Sequence, residues 1–326
     1  MIRKSGGTKL AESALTHISV LRECIMLVVL VALVIILSAL SPAFASAKNF
    51  INIFKQASIN GILATGMMCV ILTGGFDLSV GSIVGFSGVI AALFAQGNTP
   101  IVVPLALGIG AGLLIGFVNG VCISFFAIPA FVVTLGTQSI VRGLAYLASG
   151  GMPVFGVSKS YENIAGTLLF DFLPMLVVYY VAIVLLTGFM LTKTVYGRRI
   201  YMTGGNEQAA RFSGINTNFI KLSVYGICGL LAGLAGCLLT SRTISGTPVT
   251  GVGYELDAIA AVVIGGVSLE GGSGKWYGPM TGALLLAIIS NGLDIMRVPS
   301  YYQWLLKGVI IICAVFLDVR AKARVK

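Results

Sequence analysis

Apolar runs of bilayer length follow one another along almost the whole chain, and no other feature limits its fold so tightly. A helix needs about 20 apolar residues to cross the hydrocarbon core, since each residue rises ~1.5 Å through a slab ~30 Å thick. On that ruler, runs fall near residues 24–44, 53–73, 77–95, 101–126, 129–149, 172–192, 218–240, 254–268, 277–294 and 303–319. Those at 77–95 and 254–268 are weak or short and are expected to be broken or re-entrant. The expected fold class is all-α, a polytopic membrane protein with about ten transmembrane helices. A single membrane domain, 24–319, would sit between polar tails at 1–23 and 320–326, with one polar loop at 193–217. Composition agrees: 57% of residues are hydrophobic and only 10% charged, against about 25% charged in soluble domains.

Cation placement orients the chain. Arg3, Lys4, Lys9 and Arg22 precede the first run, and Lys193, Arg198, Arg199, Arg211 and Lys221 lie between the sixth and seventh. Lys275 lies between the eighth and ninth, and Arg320, Lys322, Arg324 and Lys326 end the chain. With an even number of crossings both termini share this face, which the positive-inside rule makes cytoplasmic. The same rule accounts for the net charge of +10, so nucleic acid is not an expected partner. The stretch AFASA at 43–47 mimics a signal-peptide cleavage site. The polar leader before the first run is nonetheless about two dozen residues long, too long for a signal peptide of ~15–30 residues in all. An uncleaved first span is expected.

Catalytic chemistry finds no footing. The six cysteines, Cys24, Cys69, Cys122, Cys228, Cys237 and Cys313, lie in or at the edge of apolar runs, and the single histidine, His17, lies in the N-terminal tail. No CxxC pair, metal-ligand spacing or Ser/His/Asp or Cys/His set can be assembled from them. Catalytic and metal residues are therefore assigned to none.

Against this background one polar island stands out, TKTVYGRRIYMTGGNEQAARFSGINTNFIK at 192–221. By charge it faces the cytoplasm, where it is positioned to meet something soluble. The largest expected outer loop, 150–171, is either a plain connector or a landing surface for an external partner. Two runs carry glycine stripes: Gly108, Gly112, Gly116 and Gly120, and Gly229, Gly233 and Gly236. Small residues at such spacing let helices approach closely in lipid. They fit tight packing inside one subunit, a dimer seam or a pathway wall.

The segment 72–82, LTGGFDLSVGS, interrupts two apolar runs. Its paired glycines favour a helix break, and Asp77 with Ser79 and Ser82 reads as the cap of the next helix. The alternative is a polar break beside a translocation path, where Gly74, Gly75, Asp77, Ser79 and Ser82 would stand. The segment GGVSLEGGS at 265–273 echoes it at Gly74, Gly75, Leu78, Gly81 and Ser82. Both echoes fall on the cytoplasmic side, which implies a parallel repeat. The second runs on into Gly274-Lys275-Trp276 but lacks the glycine and the Ser/Thr of a phosphate loop. No nucleotide site lies on this chain, so ATP would be used by a partner. Asn60, Asn119, Gln138 and Asn291 either bond between helices or line the path. Tyr254, Glu255 and Asp257 either cap a helix N-terminus or guard the outer mouth.

Taken together, ILTGGFDLSVGS (71–82), GGNEQAARFSGI (204–215), GYELDAIAAVVIGG (253–266), SLEGGSGKWYG (268–278) and SYYQWLLKGVIIICAVFLD (300–318) resemble the permease subunits of bacterial ribose-type monosaccharide ABC importers. The resemblance covers about residue 40 to the C-terminus, with the motifs in the family's order. It implies an inner-membrane permease homodimer, a periplasmic sugar-binding protein, and an ATP-binding subunit with tandem nucleotide-binding domains that holds the ATP and Mg. The chain itself would carry no cofactor. The substrate would be a monosaccharide such as ribose or allose, among relatives that also carry xylose, arabinose, galactose or autoinducer-2. The island's core then becomes the ATPase-coupling segment, formed by Gly204, Gly205, Asn206, Glu207, Ala209, Ala210, Arg211, Ser213 and Gly214. A short helix over 207–212 fits, capped by Asn206 and ended by Gly214. Arg211 is expected to pair with acidic groups of the partner. An ion-coupled secondary sugar transporter is the alternative, but it needs membrane-embedded charges, and most acids here fall at span ends.

Overall fold

The computed structural model describes residues 26–323. Arg3, Lys4, Lys9, Arg22, His17, Cys24, Arg324, Lys326 and the leader before the first run lie outside the described residues. The chain forms α1 (Met26–Leu40), α2 (Ala47–Leu72), α3 (Val80–Phe94), α4 (Val102–Ser124), α5 (Ala130–Ser149) and α6 (Lys159–Gly166). A two-residue hairpin follows, β1 (Leu168–Leu169) antiparallel to β2 (Leu173–Pro174). Then come α7 (Met175–Lys193), α8 (Val195–Gly205), α9 (Glu207–Phe212), α10 (Thr217–Thr243), α11 (Tyr254–Ile264), α12 (Gly278–Ile295) and α13 (Ser300–Ala323).

Every apolar run coincides with a helix. Among the described residues six of these, α2, α4, α5, α7, α10 and α12, are long and apolar enough to cross a membrane. The two weak runs are short for a reason. The 15 residues of α3 rise ~22 Å and the 11 of α11 only ~16 Å, about half the hydrocarbon thickness. Helix α2 begins earlier than its apolar run because Ser46 caps it, the hydroxyl accepting from the Asn49 N–H at 3.3 Å.

Two expected loops are structured. The segment 193–217 folds into α8 and α9. Within 150–171, α6 is fastened to the far end of α10. The Tyr161 hydroxyl donates to the Cys237 carbonyl at 3.0 Å, and the Ser241 hydroxyl accepts from the Ala165 N–H at 2.9 Å.

Helix α10 is the centre of the molecule, packed on α4, α3 and α2. The glycine stripe of α4 lies antiparallel along it: Gly108 faces Cys237, Gly112 faces Gly233, Gly116 faces Gly229 and Gly120 faces Leu222. The stripes are packing surfaces within one subunit.

Helix α2 packs on α11 and α12 just as α10 packs on α3 and α4. The two run antiparallel, with Gly66 beside Cys228 and Gly75 beside Tyr225. The halves α2–α5 and α10–α13 are therefore related in an inverted sense, which corrects the parallel repeat expected from the GG echoes. The first echo lies between α2 and α3, whose counterpart is the α10–α11 turn; the second lies between α11 and α12. The echoes do share one face and touch there, the Gly272 N–H donating to the Leu72 carbonyl at 2.9 Å. Of the shared glycines, Gly74 at φ +79° and Gly266 and Gly272 at +87° and +69° occupy left-handed turns, but no aligned pair shares that conformation.

Candidate functional site

The face that carries both echoes also carries the polar island, and a run of caps shapes it. Thr194 caps α8, its hydroxyl accepting from the Gly197 N–H at 3.1 Å. Asn206 serves two helices. Its N–H donates to the Met202 carbonyl at 3.1 Å, closing α8, and its side chain accepts from the Ala209 N–H at 2.9 Å, opening α9. Gly214, at φ +78°, ends α9 with its N–H on the Arg211 carbonyl while the Ile215 N–H reaches the Ala210 carbonyl. Asn216 then caps α10 through the Phe219 N–H at 3.0 Å. Helix α9 falls on the residues 207–212 expected for it.

Two contacts tie the island to the membrane helices. At the end of α8, Gly204 presses its Cα against the Leu72 carbonyl and the Gly272 N–H, so it touches both echoes at once. Nearby, the Tyr201 hydroxyl donates to the Gly274 carbonyl and the Tyr225 hydroxyl to the Phe76 carbonyl, each at 3.0 Å. The second contact is a carboxylate. Glu207 Oε2 accepts from Lys221 Nζ at 2.6 Å, and Oε1 accepts from Arg211 at 2.8 Å and from the Thr217 hydroxyl at 3.2 Å. Arg211 also donates to Thr217 at 2.8 Å and to Asn218 at 3.2 Å. Burial pushes the Glu207 carboxyl up, but the bond and charge of Lys221, with the bonds from Arg211 and Thr217, outweigh it and hold the group below its ordinary value. The folded pKa is depressed, so the clamp is intact above the ordinary carboxylate range and is lost only as pH falls through the folded value.

A cavity of about 360 Å³ opens behind the clamp. Its walls are Thr73–Gly75 of the first echo, the α4–α5 turn around Ala127–Ala130, and Glu207, Arg211 and Lys221. On the outer side of α9, Gln208, Ala209 and Phe212 face solvent while Ala210 is buried. Phe212 is 92% exposed, within the polar island.

The remaining sequence candidates divide by location. Asp77, Ser79, Ser82 and Asn119 are wholly buried. Asp77 Oδ1 accepts from the Ser79 N–H at 2.9 Å, Asn119 donates to the Ser79 hydroxyl at 2.9 Å, and Thr137 donates to Asn119 at 2.7 Å. This chain braces the α2–α3 break against α4 and α5; only Gly74 and Gly75 of the set border the cavity. Asn60 is buried in α2, and Asn291 exchanges hydrogen bonds with Asn49 at 2.8 and 2.9 Å. Gln138 donates to Glu255 at 3.1 Å and Lys307 pairs with Asp257 at 2.8 Å, and Glu255 lies against Gly81 at the start of α3, beside the α2–α3 break. Tyr254 stands beside them, partly buried. Arg142, which sequence reasoning passed over, donates to the carbonyls of Pro248 and Thr250. Among the described residues no group of His, Cys, Asp and Glu is placed to hold a metal ion.

Phe212, and Lys221 as the inward partner of Glu207, were also missed. A phenylalanine inside an otherwise polar stretch was the available signal for the first. Glu207 and Arg211 stand four apart on a helix, the spacing of a favourable ion pair, so Arg211 is paired within its own chain.

Comparison with known proteins bears on all of these elements. A family profile described as the branched-chain amino acid transport system / permease component matches residues 49–315. The ribose import permease protein RbsC of Escherichia coli K12 is 43% identical over 301 residues, covering 90% of this chain and 92% of its own length. RbsC of Bacillus subtilis 168 is 41% identical, covering 89% and 91%. The D-allose transport system permease protein AlsC of Escherichia coli K12 is 36% identical, covering 89% of each. No solved structure matches.

Proposed function

We infer function from a chain that belongs to the family of the branched-chain amino acid transport system / permease component, and propose that it carries ribose, or an allose-like sugar, for an ATP-driven importer. It is a multi-pass protein of the bacterial inner membrane and its relatives are permeases of sugar importers. The observation that carries the reading is the 43% identity to a ribose permease across 90% of the chain, a span that takes in both echoes and the island. About ten spans, with α3 and α11 as the short or re-entrant ones and with both termini and the island cytoplasmic, complete the reading, supported by the cation distribution. Two copies would form the pathway, a periplasmic protein would deliver the sugar, and a chain with two nucleotide-binding domains would hydrolyse ATP against α8 and α9.

Reconstitution tests this directly. Vesicles holding this chain, the ATPase and the binding protein should take up labelled ribose with ATP inside, and uptake should survive a protonophore. Uptake that follows an ion gradient after ATP depletion would overturn it.

Phe212 supplies the docking test. A solvent-facing aromatic that touches little of its own chain contributes little to the fold, whereas seated in a partner groove such anchors contribute ~2 kcal/mol or more. Phe212→Ser should leave thermal stability unchanged and weaken ATPase binding by about 30-fold. An unchanged affinity for the permease in nanodiscs would remove Phe212 from the interface.

A further inference from the structure

We propose that Glu207 is a positioning residue, an internal clamp that fixes α9 to α10 and passes displacement of α9 into the membrane helices, without itself touching the ATPase. This rests on the docking reading above. Both of its carboxylate oxygens are already engaged by its own chain, Oε2 by Lys221 and Oε1 by Arg211 and Thr217. Three donors of its own chain thus hold the carboxylate, and its charge is already balanced by Lys221 and Arg211.

This clamp is the tie that reaches deepest into α10, alongside the bonds from Arg211 to Thr217 and Asn218 at the start of that helix. Helix α9 has only six residues, far below the length at which a helix is stable by itself. Its ends are joints, the extended Asn206 on one side and the left-handed Gly214 on the other. Behind it lies the 360 Å³ cavity, so packing does not hold it on that side, and Ala210 is its one buried residue. Lys221 stands one turn into α10, the helix packed on α2, α3 and α4. One turn further on, Tyr225 bonds the Phe76 carbonyl in the first echo. A push on α9 therefore reaches the α2–α3 break through Glu207, Lys221 and α10, while the cavity leaves it room to move.

The experiment separates docking from coupling in the full complex in nanodiscs. Glu207→Gln keeps the shape and removes the charge. It should bind the ATPase within about twofold of wild type and lose about tenfold in sugar-stimulated ATP hydrolysis and uptake, the scale of a lost contact pair. Glu207→Lys and Lys221→Glu should each be impaired in the same way. The two together should recover most of the coupling, because the exchanged charges pair again across the same gap and Arg211 keeps a carboxylate within reach. Should Glu207→Lys fail to fold, Glu207→Gln carries the test. Full coupling in Glu207→Gln, a loss of docking affinity in it, or no recovery in a well-folded double variant would each overturn the proposal. Failure of the wild-type chain to bind any such ATPase would instead overturn the docking reading on which it rests.

Discussion

Replacing Gly204 with alanine is expected to abolish transport, while the same change at the neighbouring Gly205 is expected to leave it near wild type. A Cβ on Gly204 would fall well inside contact distance of the Leu72 carbonyl oxygen and 2.6 Å from the Gly272 nitrogen. Both obstacles are backbone, so no rotamer change relieves them, and together they form the Gly272–Leu72 hydrogen bond itself. Overpacking of this kind typically costs ~1–3 kcal/mol even where side chains can yield. Here α8 must lift away from both echoes, which separates the island from the membrane helices it is proposed to move. A Cβ on Gly205 meets nothing within 4 Å, and alanine there favours the helix by ~0.5–1 kcal/mol. Membrane insertion should survive in both variants, because neither substitution lies within an apolar run. Uptake in vesicles checks the pair: a functional Gly204→Ala would mean that this contact does not couple the island to the bundle.

That contrast lies between adjacent letters of one Gly-Gly pair and no reading of the sequence distinguishes them. Local signals were legible. Helix α9 could be placed because its caps, Asn206 and Gly214, act within a few residues, and each apolar run reported its helix because bilayer thickness fixes the length. Signals that depend on a partner were not. The stripe on α4 announced a close-packed face, but that it meets α10 of the same chain is a property of the fold. The GG echoes looked like a repeat, yet their shared glycines meet different neighbours: Gly75 abuts Tyr225 and Gly81 abuts Gly251, whereas Gly265 abuts Gly278 and Gly272 abuts Gly205. Helix α8 escaped notice because its sequence, VYGRRIYMTGG, holds three glycines and two adjacent arginines with no apolar stripe. What holds it is tertiary: Gly204 on the echoes and Tyr201 on Gly274. The Arg211–Glu207 pair was legible in principle, since the two stand four residues apart on one helix.

The α4 stripe yields the other large effect. Gly112→Leu should eliminate folded protein, and Gly110→Leu, two residues away, should not. A Cβ at 112 would stand 2.7 Å from the Gly233 Cα and 2.9 Å from the Gly233 nitrogen, and the Gly229 carbonyl lies nearer still. Leucine adds three more carbons to that Cβ, so α4 and α10 must separate. The cost is not confined to one position, because Gly108, Gly116 and Gly120 lose their contacts with α10 as the helices part. Dispersion falls off within a fraction of an ångström of optimal contact, and in lipid no hydrophobic gain between helices replaces it. Several kcal/mol lost from a net stability of ~5–15 kcal/mol leaves little folded protein. At Gly110 the space is open, and a side chain there meets nothing of its own chain within 4 Å of the Cβ. The fraction of each variant eluting as a single species in detergent, with its melting temperature, decides the matter. If the stripe were a dimer seam or a pathway wall, Gly112→Leu would give a well-folded chain defective only in assembly or uptake. Loss of the fold itself is the outcome that follows from a seam closed within one subunit.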